Sequence, residues 1–216
     1  MGKILRGDGR NWRHVQTLTT NDGKQVNVRQ IDVLDENNAW VLGGFKENSF
    51  KPGSYEAASE RWRSALFRWN GTDFEQVAVP SLDQSVGEVH SVAVIAADDA
   101  WFVGSAGRIW RWNGKEIVVV EPADQDIKGF DLYSLSAAAS DDIWAVGTLA
   151  GQAYGQAVAA HWDGKEWRSA KIWGGTDWRE TNEPIIFLWD VLAIADNDVW
   201  ATGGSQAVHW DGTDGW

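Results

Sequence analysis

Leu135-Ser136-Ala137-Ala138-Ala139-Ser140-Asp141-Asp142-Ile143-Trp144-Ala145-Val146-Gly147 decides the fold. An apolar run enters an Asp-rich turn, and a second run opens on Trp and closes on Gly. Asp and Asn suit such a turn because their side chains cap nearby backbone N–H groups. The pattern returns at 31–43, 92–104 and 191–203, with Trp40, Trp101 and Trp200 in the place of Trp144. Self-similarity at this spacing marks a repeat architecture.

A second signature follows each copy: Phe67-Arg68-Trp69-Asn70-Gly71, Trp110-Arg111-Trp112-Asn113-Gly114, Ala160-His161-Trp162-Asp163-Gly164 and Val208-His209-Trp210-Asp211-Gly212. Asn-Gly and Asp-Gly between β-rich runs predict a hairpin, with both residues at positive φ in a type I′ turn. An apolar residue then opens a fourth strand at Phe74, Ile117 and Trp167. Each unit reads as a four-stranded antiparallel meander, a to d. The third-strand Trp recurs at spacings of 43, 50 and 48 residues, which is the length of a propeller blade.

The expected fold is an all-β propeller forming one domain over 1–216, with blades near 28–80, 88–121, 131–172 and 187–216. Residues 7–15 match 162–170, so the N-terminal strand in 4–18 is expected to complete the last blade. That closure removes free sheet edges. Trp216 competes with Trp12 for the same strand, which leaves membership of a larger propeller, or closure through a second copy, as alternatives.

The core Asp142-Ile143-Trp144-Ala145-Val146-Gly147, with His161-Trp162-Asp163-Gly164 and Trp167, resembles a bacterial family of kelch/BNR-like β-propeller repeats. The resemblance covers nearly the whole chain and implies a scaffold without catalytic residues. Gly7 and Ile117 stand where the pattern has Trp.

Composition narrows the partners. Thirty-one acidic against nineteen basic residues give a formal charge of −12, which repels nucleic acid and anionic membrane surfaces. There is no Cys and no His pair at metal spacing, so no thiolate chemistry, metal or cofactor is expected. No apolar leader or spanning run is present. The chain as written is expected to be cytoplasmic, or secreted if a signal was removed.

Sixteen Trp are unusual. A buried Trp removes roughly 150–250 Å² from water, an upper bound near 4–6 kcal/mol. Eleven occupy repeat positions (12, 40, 69, 101, 112, 144, 162, 167, 200, 210 and 216) and are read as blade packing. Trp62, Trp110, Trp173, Trp178 and Trp189 break the repeat. His161 and His209 replace Arg68 and Arg111 and read as solvated strand sites.

The connections at 45–64, 121–130, 148–156 and 172–187 are long and are expected on one face, where loops carry function. Tyr55, Arg61, Trp62, Trp173, Trp178 and Arg179 lie in or beside them, the residue types of interface hot spots. Arg29, His90, Tyr133 and Trp189 share one position near the start of strand a and are expected to converge on a ligand-binding mouth. The leading expectation is a non-catalytic module docking a protein partner. A carbohydrate-binding lectin is the alternative, and a propeller-type hydrolase or lyase the third reading.

Overall fold

The computed structural model describes residues 2–48, 60–80, 82, 88–151, 156–170, 172, 187–213 and 216. Tyr55, Trp173, Trp178 and Arg179 lie outside them. The described residues form strands, with two short 3-10 turns and no α-helix. The chain divides into two compact units, Met1–Asp83 and Gln84–Trp216.

The first unit holds a hairpin of β1 (Lys3–Gly7) and β2 (Trp12–Thr17) and a four-stranded sheet in the order β3 (Asn27–Val33), β4 (Ala39–Asn48), β5 (Glu60–Trp69), β6 (Phe74–Val77). Ile4 of the hairpin, with Leu18 and Val26 of the connection to β3, is buried in one cluster with Ala39, Val41, Phe67 and Phe74 of the sheet. Gln16 fixes the contact, donating from Nε2 to the Phe74 carbonyl and accepting the Phe74 N–H. The segment 45–64, expected as a loop, is strand at both ends, with Phe45 opposite Arg63 and Glu47 opposite Arg61.

The second unit holds two four-stranded meanders and a three-stranded one. These are β7 (Val89–Ala96), β8 (Asp99–Gly104), β9 (Ile109–Trp112), β10 (Ile117–Val120); β11 (Phe130–Ala139), β12 (Asp142–Leu149), β13 (Ala157–Trp162), β14 (Trp167–Ala170); and β15 (Asp190–Ala195), β16 (Asp198–Gly203), β17 (Gln206–Trp210). The strand at Trp12, expected to complete the last blade, has β1 as its hydrogen-bonded neighbour. Trp12 itself is 74% exposed.

The Asn-Gly and Asp-Gly turns differ from the type I′ expectation. Only the Gly is at positive φ, 96° at Gly71 and 89° at Gly114. The preceding residue works through its side chain: Asn70 Oδ1 accepts the N–H groups of Thr72 and Asp73 at 2.9 Å each. Two orphan donors are met by one carbonyl, so a four-residue turn replaces the two-residue one.

The Gly that closes the second strand has a steric cause. A Cβ on Gly104 would stand 2.0 Å from the Glu88 carbonyl oxygen, and one on Gly147 would stand 1.8 Å from that of Asp131. The first strand starts hard against this point, and no larger residue fits.

Three of the four second-strand Trp residues are buried. Trp40, Trp101 and Trp144 are each 1% exposed. In the second unit Trp101 enters the next blade beside Trp162 and Trp167, and Trp144 does so beside Trp210 and Trp216, with centroids 4.9–5.7 Å apart. Such aromatic pairs add about 0.5–1.5 kcal/mol beyond area burial. Trp110, set apart in the sequence as outside the repeat, is fully buried as well.

Candidate functional site

The inner strands β7, β11 and β15 lie side by side. Serines stitch them: Ser91 Oγ accepts the Leu135 N–H at 3.2 Å, and Ser136 Oγ accepts that of Ala193 at 3.0 Å. Ser134 donates to Asp190 at 2.8 Å. These bonds hold the starts of three strands in one rigid row.

His90 and Tyr133 interrupt the ladder of their own strands. The register slips between Val89 and Ser91, and again between Leu132 and Ser134, so each is the extra residue of a β-bulge. Arg29 is the corresponding extra residue of β3, between Val28 and Gln30. A bulge re-aims a side chain out of the alternating pleat. That is why one repeat position carries large polar or aromatic residues instead of core packing.

The re-aimed rings meet. His90 and Tyr133 have centroids 5.4 Å apart, Tyr133 and Trp189 4.7 Å, and Trp189 and Phe187 4.7 Å. The result is a four-ring ladder across three blades. Trp189 is 54% exposed and the other three rings are half-buried, so the ladder is open to a ligand along one side.

His90 is held at both nitrogens. Nδ1 lies 2.9 Å from the Leu132 carbonyl, which only accepts, so this nitrogen carries a proton. In the neutral ring Nε2 then accepts from Ser105 Oγ at 3.2 Å. Ser105 belongs to the 3-10 turn Ser105–Gly107, pinned in turn by the Ala106 N–H donating to Asp131 Oδ1 at 3.0 Å. Burial raises the Tyr133 phenol above its ordinary value, and the charge of Asp131 adds to it, so Tyr133 stays a neutral donor. Asp131 and Asp190 set a negative rim that disfavours phosphate or sulfate beside the rings.

Phe187 extends the ladder and was not singled out in the sequence. Its one legible signal is its place two residues before Trp189, on the far side of Leu188. Arg29 lies in the first unit, with its guanidinium 5.7 Å from the Trp62 ring and Lys46 at the same distance. Trp62 is therefore flanked by two cations, and Arg63 beside it ion-pairs with Glu47 at 2.8 Å. Arg61 is placed as a strand residue of β5.

His161 and His209, read from the sequence as solvated strand sites, are hydrogen-bonded there, His209 exposed and His161 half-buried. His161 Nε2 lies 2.8 Å from Asp142 Oδ1, which also accepts the Trp144 indole N–H at 2.9 Å, and its ring stacks on Trp144 at 4.2 Å. His209, Asp198 and Trp200 repeat the arrangement. In the second blade Arg111 takes both oxygens of Asp99, and the Trp101 indole N–H has no partner among the described residues. These triads brace the blades. Among the described residues no group of three His, Asp or Glu side chains is arranged to hold a metal ion.

No family model and no curated protein matches the chain. Among solved structures, YCF48 from Cyanidioschyzon merolae matches with TM-score 0.53 and 14% identity over 97% of this chain and 61% of that one. A structure of YCF48 bound to D1 peptide gives the same score and identity over 92% and 53%. The fold is a β-propeller. The chain spans 53–61% of the length of these two propellers. The WD40 propeller domain of Doa1 matches with TM-score 0.36 and 10% identity, over 96% of this chain and 84% of that one.

Proposed function

We propose that this propeller is a non-catalytic interaction module that receives a segment of a protein partner along the ladder His90–Tyr133–Trp189–Phe187. One observation carries the reading: bulges in successive inner strands turn away from the core the very side chains that differ between repeats. Aromatic rings with few rotatable bonds make low-entropy contact area, and the acidic rim of Asp131 and Asp190 suits amide and cationic groups. A YCF48 structure with a bound D1 peptide supports the choice of a peptide ligand for a propeller of this kind. Membership of the kelch/BNR-like repeat family, a single domain over the whole chain, and docking on the face of the long connections belong to the same proposal.

Selection of displayed random peptides on the wild-type chain, with counter-selection on a Tyr133→Ala/Trp189→Ala variant, tests it. Enriched peptides are expected to lose at least about tenfold in affinity on the variant, as hot-spot truncations do. The half-exposed Trp189 indole also favours a second reading, stacking of a sugar ring. A glycan array that lights up while peptide selection stays silent replaces the first reading with the second.

A further inference from the structure

At Trp101 and at Phe45 this chain joins an aromatic face to carboxylates through a cation. Arg111 lies 5.0 Å over the Trp101 ring and takes both oxygens of Asp99. Lys24 lies 5.1 Å over Phe45 and ion-pairs with Asp22 at 3.0 Å and Glu47 at 3.6 Å. The ring face carries the negative side of the quadrupole and attracts the cation, and the carboxylate balances its charge.

The ladder has rings and carboxylates but no cation of its own. Asp131 and Asp190 flank Tyr133. The charge of Asp131, two residues earlier in β11, acts on the Tyr133 phenol. Asp190 is hydrogen-bonded to Ser134, the residue that follows Tyr133.

Each carboxylate is fixed through one oxygen. Asp131 Oδ1 accepts the Ala106 N–H, and Asp190 Oδ1 accepts the Ser134 hydroxyl and the Val191 N–H at 3.1 Å. Oδ2 of each has no partner among the described residues, where Asp190 is exposed and Asp131 half-buried. Among the same residues no Lys or Arg lies over Tyr133, Trp189 or Phe187, and neither acid has an ion-pair partner. The negative groups are therefore held in place beside open ring surface, and a cation meets them without reordering the site.

Resting on the reading of this ladder as a peptide site, we infer that the group it takes from the partner is a basic side chain, Arg or Lys. The cation packs against Trp189 and Tyr133, with Asp131 and Asp190 as its counter-charges. An Arg guanidinium suits the rings best, being planar, weakly hydrated and able to stack. A neutral or acidic segment leaves both carboxylates unpaired beneath it, so charge acts as the selector. The formal charge of −12 draws a basic segment toward the chain before contact.

The probe is an array of synthetic hexapeptides varied at every position and incubated with the labelled full-length chain. Binding is expected to concentrate on members holding Arg or Lys and to fall on the Tyr133→Ala/Trp189→Ala variant. The strongest peptide is then compared, by fluorescence polarisation, with a neutral copy carrying citrulline for Arg or acetyl-lysine for Lys. That copy is expected to bind the wild type roughly tenfold more weakly. Asp131→Asn/Asp190→Asn keeps an acceptor oxygen for Ala106 and Ser134. It is expected to weaken the basic peptide roughly tenfold and to leave the neutral copy unchanged. Asp190→Asn alone, at an exposed position, reads the same charge if the double variant does not fold. Peptides that need Tyr133 and Trp189 but show no preference for basic residues overturn this inference and leave the peptide reading standing. An array without any binder overturns both. Basic peptides that bind the Tyr133→Ala/Trp189→Ala variant equally well also overturn it, because overall charge then explains them. Equal weakening of the basic and neutral copies by the Asn variant does the same, since the acids then act on the shape of the ladder alone.

Discussion

At the scale of single residues, the turn acids carry a pH dependence whose sign follows from their bonds. Asp163 accepts the N–H groups of Glu166 and Lys165, and these hold its carboxyl below the usual carboxylate value. Asp8, in the matching N-terminal turn, is lowered by Asn11 and then Arg10. A lowered folded value means the unfolded chain binds more protons in that window, so stability rises with pH there. The contribution is present above the unfolded value of about 3.9 and is lost as pH falls through the folded one. Thermal melts of the wild type are therefore expected to soften below about pH 4. Asn113 makes the same two bonds to Lys115 and Glu116 without a titrating group. Asp163→Asn is accordingly expected to keep the turn at neutral pH and to show a smaller loss on acidification. An equal acid loss in wild type and variant counts against this account.

At the scale of the blade, the closing Gly of the second strand is a spacing element. Gly147→Ala sets a Cβ into the Asp131 carbonyl, and neighbouring backbone has to move. Overpacking of this kind costs about 1–3 kcal/mol or more, and here it strikes the strand whose bulge presents Tyr133. Gly129→Ala meets only the end of the Leu149 side chain at 3.4 Å and is the matched control. Urea unfolding is expected to show a clear drop in midpoint for the first and little change for the second. The Trp-x-x-Gly spacing was legible from the sequence because this constraint recurs at Gly104, Gly147 and Gly203. The bulges were not, since a one-residue slip leaves the hydrophobic pattern of the strand almost unaltered.

At the scale of the whole molecule, repeat position did not settle burial. Trp101 and Trp144 are buried by the blade that follows them, whereas Trp200, with the same kind of Asp and His partners as Trp144, is 45% exposed. Trp101→Ala is expected to cost about 3–5 kcal/mol, the range for a buried Trp. Trp200→Ala is expected to cost clearly less, since its indole loses less contact. Chemical denaturation of the two variants side by side checks the order, and equal losses would show that the Trp200 face is covered in solution.

The sequence by itself determined the blade: two Trp signatures, the Asp and Asn turns, the strand count and the all-β class are local patterns, set by side-chain periodicity and turn chemistry. It also singled out Arg29, His90, Tyr133 and Trp189 as one repeat position. Only the tertiary structure decided that three of those residues join Phe187 in one ladder and that His161 and His209 are braced by Asp. It also placed β2 beside β1. Each of these depends on which surface lies opposite which, and a linear repeat writes the same letters whether its neighbour is present or not.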